Sequence, residues 1–85
     1  MDNWIKFREL LDKQYEWPAE YKFKFIVPFD RQLEVENLFS DFDLSLRASK
    51  TGKFVSVTFS KLCLNSNEVI QIYEKAKTIK DLMVL

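Results

Sequence analysis

The sequence predicts an α+β fold, a four-stranded antiparallel sheet with helices packed on one face, and three observations carry that expectation. Apolar residues alternate with period two over 21–27, 43–49 and 54–60; they recur at helical spacing over 3–14, 30–42 and 65–77; and turn-forming residues fall between these stretches. With 85 residues the chain is a single domain, 1–85, because halves of it would be too small to bury an adequate core without disulfides or metal. Eight Phe, three Tyr and two Trp supply the large buried areas such a small core requires.

Residues 1–15 read as an N-terminal helical extension. Trp4, Phe7, Leu10 and Leu11 share one side while Arg8, Glu9, Asp12 and Lys13 face away, and Asp2 or Asn3 is placed to cap the helix. The stripe must be buried against the sheet's open face, the edge of its own domain or another subunit; packing within the chain is the expectation. Pro18 ends the helical pattern.

The core follows over 21–85. Tyr21, Phe23, Phe25 and Val27 face one way and Lys22, Lys24 and Ile26 the other, as in a half-buried strand, with Pro28 expected to stop the ladder. Asp30 is placed to cap a helix of about three turns carrying Val35, Leu38, Phe39 and Phe42 on one stripe. Leu44, Leu46 and Ala48 then alternate with Ser45, Arg47 and Ser49. The only glycine, Gly52, turns the chain into Val55, Val57 and Phe59, which oppose Phe54, Ser56, Thr58 and Ser60. Asn65, with Glu68 three residues on, has the form of a capping box before a helix bearing Val69, Ile72, Tyr73 and Ala76 inside. The apolar run 79–85 reads as the last strand.

The resulting order, a helix and then βαββαβ, is the ferredoxin-like arrangement: first and third strands central, both core helices on one face, an extra helix at the N-terminus. Leu44 and Leu46 are expected to meet the helices. The opposite face displays Lys22, Lys24, Ile26, Ser45, Arg47, Phe54, Ser56 and Thr58.

Composition narrows function by exclusion. Lys plus Arg and Asp plus Glu are 13 each, so the formal net charge is zero and nothing favours a polyanion. There is no His and one Cys, which leaves no Ser-His or Cys-His pair and no zinc site within the chain; no metal, no cofactor and no enzymatic activity are expected. A phosphate-cradling loop would need several glycines. Arg31, near the start of a helix, reads as a solvated residue. The lone Cys63, between Leu62 and Leu64, reads as a small buried apolar residue and fits a reducing, cytoplasmic setting. The N-terminus has charges scattered through it and reads as neither a signal peptide nor a membrane span.

Several residues together resemble a family. Glu16-Trp17-Pro18, Tyr21, Phe23-Lys24, Ser49, Gly52, Phe54-Val55-Ser56-Val57, Val69, Tyr73 and the terminal Met83-Val84-Leu85 are similar to the pattern of the YbeD-like family of small uncharacterised bacterial proteins. The resemblance covers about residues 16–85 and implies a ferredoxin-like fold, a chain complete at Leu85 and a likeness to the regulatory ACT-type domains of amino-acid enzymes. Where the family pattern places a glycine after the first strand, this sequence has Val27-Pro28, and the segment leading to the second strand is shorter.

The candidate interaction face is therefore Lys22, Lys24, Arg47, Phe54, Ser56 and Thr58. It reads either as an anion or acidic-partner site or as a sheet face kept solvated by its lysines. RNA-binding modules of this topology need paired rings on the central strands, and here Gly52 is followed by Lys53 and Ser56 stands two residues beyond Phe54, which argues against nucleic acid. The function expected is a non-catalytic regulatory or protein-interaction domain with an unidentified protein partner or a homodimeric arrangement, and no membrane. The alternative is an ACT-like sensor of a small anionic metabolite, using the loop after the first strand with Lys22 and Lys24.

Overall fold

In a computed structural model, which describes residues 3–85, the chain folds as α1 (Asn3–Gln14), β1 (Ala19–Pro28), a 3-10 turn (Phe29–Arg31), α2 (Gln32–Leu38), β2 (Ser45–Ala48), β3 (Phe54–Cys63), α3 (Ser66–Ala76) and β4 (Met83–Val84). The four strands form one antiparallel sheet in the order β2-β3-β1-β4. This α+β arrangement is consistent with a ferredoxin-like fold. It differs from two helices on one face in that a third, α1, shares their side.

The sheet is built around the two ten-residue strands β1 and β3, which pair along their whole length with Phe23 opposite Phe59 and Phe25 opposite Val57. Period-two alternation places Phe23, Phe25, Val27, Val55, Val57 and Phe59 on one face, where none is more than 3% exposed. On it lie Val35 and Phe39 from α2 and Val69, Ile72, Tyr73 and Ala76 from α3. Rings meet throughout: Phe42 stacks on Phe59 at 4.7 Å between centroids, and Phe25 lies parallel to Phe39 at 5.9 Å.

Helix α1 rests on α3 rather than on the open face of the sheet. Trp4 stacks on Tyr73, Phe7 meets the same ring edge-on, and Leu11 is buried in the core. Leu10, expected on the stripe, is 49% exposed; the buried face follows Trp4, Phe7 and Leu11, one residue to the side. The expected cap, Asp2 or the Asn3 side chain, lies outside the described residues. After α1, the Trp17 indole N–H donates to the Asp12 carboxylate at 2.9 Å and Tyr15 stacks on Trp17, fastening the connection to β1.

Four further expectations are corrected. Pro28 does not stop the ladder: it pairs with Phe54, and the Phe29 N–H donates to the Lys53 carbonyl beyond it. Asp30 does not cap α2; it sits within the 3-10 turn, Arg31 is the cap residue and its side chain makes no capping bond, and α2 is only seven residues long. Leu46 does not meet the helices, because β2 is a four-residue edge strand with every residue exposed. Residues 79–82 are not strand: Ile79 is buried and its N–H continues the helical turn to the Ala76 carbonyl, Asp81 takes φ 64°, and only Met83 and Val84 pair with β1.

Gly52 adopts φ +75° in the turn between β2 and β3, a conformation that disfavours side chains, so this position calls for glycine. The Ser49 hydroxyl accepts from the Phe54 N–H at the same turn. At the start of α3, Asn65 accepts from the Glu68 N–H at 3.1 Å. The return half of the box is displaced by one residue, since Glu68 accepts from the Leu64 N–H rather than that of Asn65. Lys61 completes the cluster at 2.9 Å, and these donors, the Leu64 N–H first, hold the Glu68 carboxyl below its usual pKa.

Candidate functional site

The sheet face turned away from the helices is the candidate site. Cross-strand register sets its residues in rows. Lys24, Thr58 and Ser45 lie opposite one another across β1, β3 and β2, and the next row is Ile26, Ser56 and Arg47. Lys22 lies beyond Lys24, opposite Ser60, and Phe54 lies at the far end, opposite Pro28. The structure thus brings all six predicted residues onto one face. Lys22, Lys24, Arg47 and Phe54 are exposed, and Ser56 and Thr58, on the central strand, are half-buried.

Two hollows occupy this face. A shallow recess of about 340 Å³ is lined by Lys24, Ser45, Leu46, Arg47, Ser56 and Thr58. A smaller one, of about 150 Å³, adjoins it through Arg47 and Ser56 and is bordered by Ile26 and Phe54. Recess and hollow differ in character: the first is bounded by hydroxyls and cations, the second adds an aliphatic chain and a ring. Among the described residues the ion pairs are Arg31–Glu34 and Lys61–Glu68, so Lys22, Lys24 and Arg47 make no direct ion pair. The Ser56 hydroxyl donates to the Arg47 carbonyl at 3.4 Å, tying β3 to β2 beneath the recess.

Phe54, 42% exposed, is the one aromatic ring on the open faces of the four strands. The connection after β1 has the opposite electrostatic character. The shallow surface there is lined by Phe29, Asp30, Gln32, Leu33 and Glu36, and Arg31 is already bonded to Glu34. Two carboxylates without a free cation make this loop a poor place for an anionic ligand.

Sequence reasoning did not find a third surface. Trp4, Phe7, Tyr73, Lys77 and Val84 line an apolar groove of about 310 Å³ between α1, α3 and β4, with the Lys77 ammonium 4.6 Å from the centre of the Trp4 ring. Its parts come from the two ends of the chain, and no local pattern connects them. Tyr73, at its floor, donates to or accepts from the Tyr21 hydroxyl at 3.0 Å; burial, followed by this bond, pushes its phenol well above the ordinary value. Cys63 is fully buried and desolvation raises its thiol, which leaves it an apolar core residue.

No helix among the described residues is long and apolar enough to cross a membrane, and among the same residues no group of three His, Cys, Asp or Glu side chains is arranged to hold a metal. Fold and face together define a small α+β domain with one covered and one open, basic sheet surface. No family model, curated protein or solved structure matches the chain.

Proposed function

We propose that this chain is a non-catalytic, regulatory ferredoxin-like domain, akin to the YbeD-like family and working in the bacterial cytoplasm, that holds an acidic partner protein on its open sheet face. The observation that carries this reading is the trio Lys22, Lys24 and Arg47, exposed on one sheet face of a chain whose formal charges sum to zero and, among the described residues, engaged in no ion pair. Such a patch steers an acidic partner and sets its register. The ferredoxin-like assignment is supported by the central position of β1 and β3, each followed by a helix that packs on the covered side. A homodimer would use a different surface, since two copies of this face repel each other.

The test is affinity capture of the tagged chain from its native cells alongside a Lys22→Glu, Lys24→Glu, Arg47→Glu variant with an unchanged melting temperature. A partner that is retained by the first and lost by the second, with a capture that weakens as salt rises, is the expected result. A partner held equally by both would place the interaction elsewhere.

The metabolite-sensor reading draws on a separate observation, the polar recess beside Lys24. It moves the site from the acidic loop after β1 to the middle of the sheet.

A further inference from the structure

We infer that the recess between β1 and β2 binds a phosphomonoester dianion, its phosphoryl group held between Lys24 and Arg47 above the hydroxyls of Thr58, Ser56 and Ser45, and its organic part lying over Ile26 and Phe54. The inference rests on the open face being the binding surface and adds the chemistry it recognises.

Register supplies the geometry. Lys24 and Arg47 belong to adjacent rows on the two strands flanking β3. Their Cα atoms are therefore separated diagonally by roughly 12 Å, from two strand spacings and one two-residue step. The midpoint of that diagonal falls on β3 between Thr58 and Ser56, within reach of two long side chains extended inward from either end. Three hydroxyls lie on the same rows, and the recess they bound contains no carboxylate.

The donor set selects among anions. Two cations match a double negative charge better than the single charge of a carboxylate, and with the Ser56 hydroxyl given to the Arg47 carbonyl the four remaining donor-bearing side chains, Lys24, Arg47, Ser45 and Thr58, can be shared among the three terminal oxygens of a phosphoryl group. The planar guanidinium of Arg47 suits two of them at once. The adjoining hollow, reached past Arg47, offers the Phe54 ring and the Ile26 side chain to whatever carries the phosphate. That placement favours an ester with an apolar or aromatic carbon skeleton over inorganic phosphate.

The experiment is titration of the full chain, followed by amide chemical shifts, with phenyl phosphate, inorganic phosphate and benzoate. Shifts are expected at 24, 45–47 and 56–58, with phenyl phosphate binding several-fold more tightly than inorganic phosphate and at least about tenfold more tightly than benzoate. Lys24→Gln and Arg47→Gln are each expected to weaken phenyl phosphate about tenfold, as loss of one charge-assisted contact does. Phe54→Ala should remove the advantage of the phenyl group and leave inorganic phosphate unchanged. Because the second phosphate ionisation lies near pH 6, moving from pH 7 to pH 5 should raise the apparent Kd about tenfold. A phosphotyrosyl peptide distinguishes the source of the ester: affinity equal to phenyl phosphate marks recognition of the ester itself, and a gain of tenfold or more marks one carried by a partner chain.

Absence of saturable shifts, benzoate equal to phenyl phosphate, or unchanged affinity in both charge variants would overturn the inference. Those outcomes are separable from failure of the interaction reading, because a captured partner lost on charge reversal would still stand without any phosphate binding.

Discussion

The two faces of the sheet are made from alternate residues of the same strands, yet they have nothing in common energetically. On the covered face Phe23, Phe25, Val27, Val55, Val57 and Phe59 are sealed under three helices, with rings in contact from Phe42 through Phe59 and Phe25 to Tyr73. On the open face, one residue away in each case, Lys24, Phe54, Ser56 and Thr58 meet solvent. The contrast teaches that stability and recognition are carried by separate residues here. A side chain on the open face can be chosen for what it binds, because removing it leaves no cavity.

The sharpest way to break that comparison is to truncate one phenylalanine on each face. Phe25→Ala should cost about 3–5 kcal/mol, a large fraction of the stability of a domain this small, whereas Phe54→Ala should change it by less than about 0.5 kcal/mol. Urea unfolding of the two variants decides the matter. Comparable losses would mean that the open face is covered in solution.

Helix α1 extends the covered layer, and Leu11→Ala tests whether it belongs there. A loss of about 2–5 kcal/mol is expected for a buried leucine. A stability unchanged by this substitution would show that α1 adds nothing to the core.

A smaller loss within that layer concerns its hydroxyl pair, Tyr21 and Tyr73. Tyr73→Phe removes the bond to Tyr21 and should cost about 1 kcal/mol at neutral pH. Burial raises the Tyr73 pKa in the fold above its ordinary value of 10.0, so the folded state favours the neutral phenol. Its contribution is therefore complete below that pH and declines as the pH rises past it, when the unfolded chain releases the proton more readily. Between pH 8 and about pH 11 the melting temperature should fall less for Tyr73→Phe than for the parent chain.

Much of the site was legible beforehand for a local reason. Alternation with period two states which residues of one strand share a face, so Lys22 with Lys24, and Phe54 with Ser56 and Thr58, could be grouped before any pairing was known. The acidic character of the surface after β1 is equally present in the sequence, in Asp30 and Glu36, and it opposes the anionic ligand that the resemblance to ACT-type domains implies there. The groove under Trp4 had no signal at all, since its lining joins residues 4 and 7 to 73, 77 and 84.

By itself the sequence determined the α+β class, the inward and outward faces of β1 and β3, the turn at Gly52 and the cap at Asn65, because each depends on residues within a few positions of one another. Only the tertiary structure decided that α1 lies on α3, that β2 is an exposed edge leaving Leu46 uncovered, that Ile79 closes a helix rather than opening a strand, and that Lys24 and Arg47 border one recess with the hydroxyls of β3. Each of those outcomes depends on strand order, register or packing between distant segments, which local periodicity does not encode.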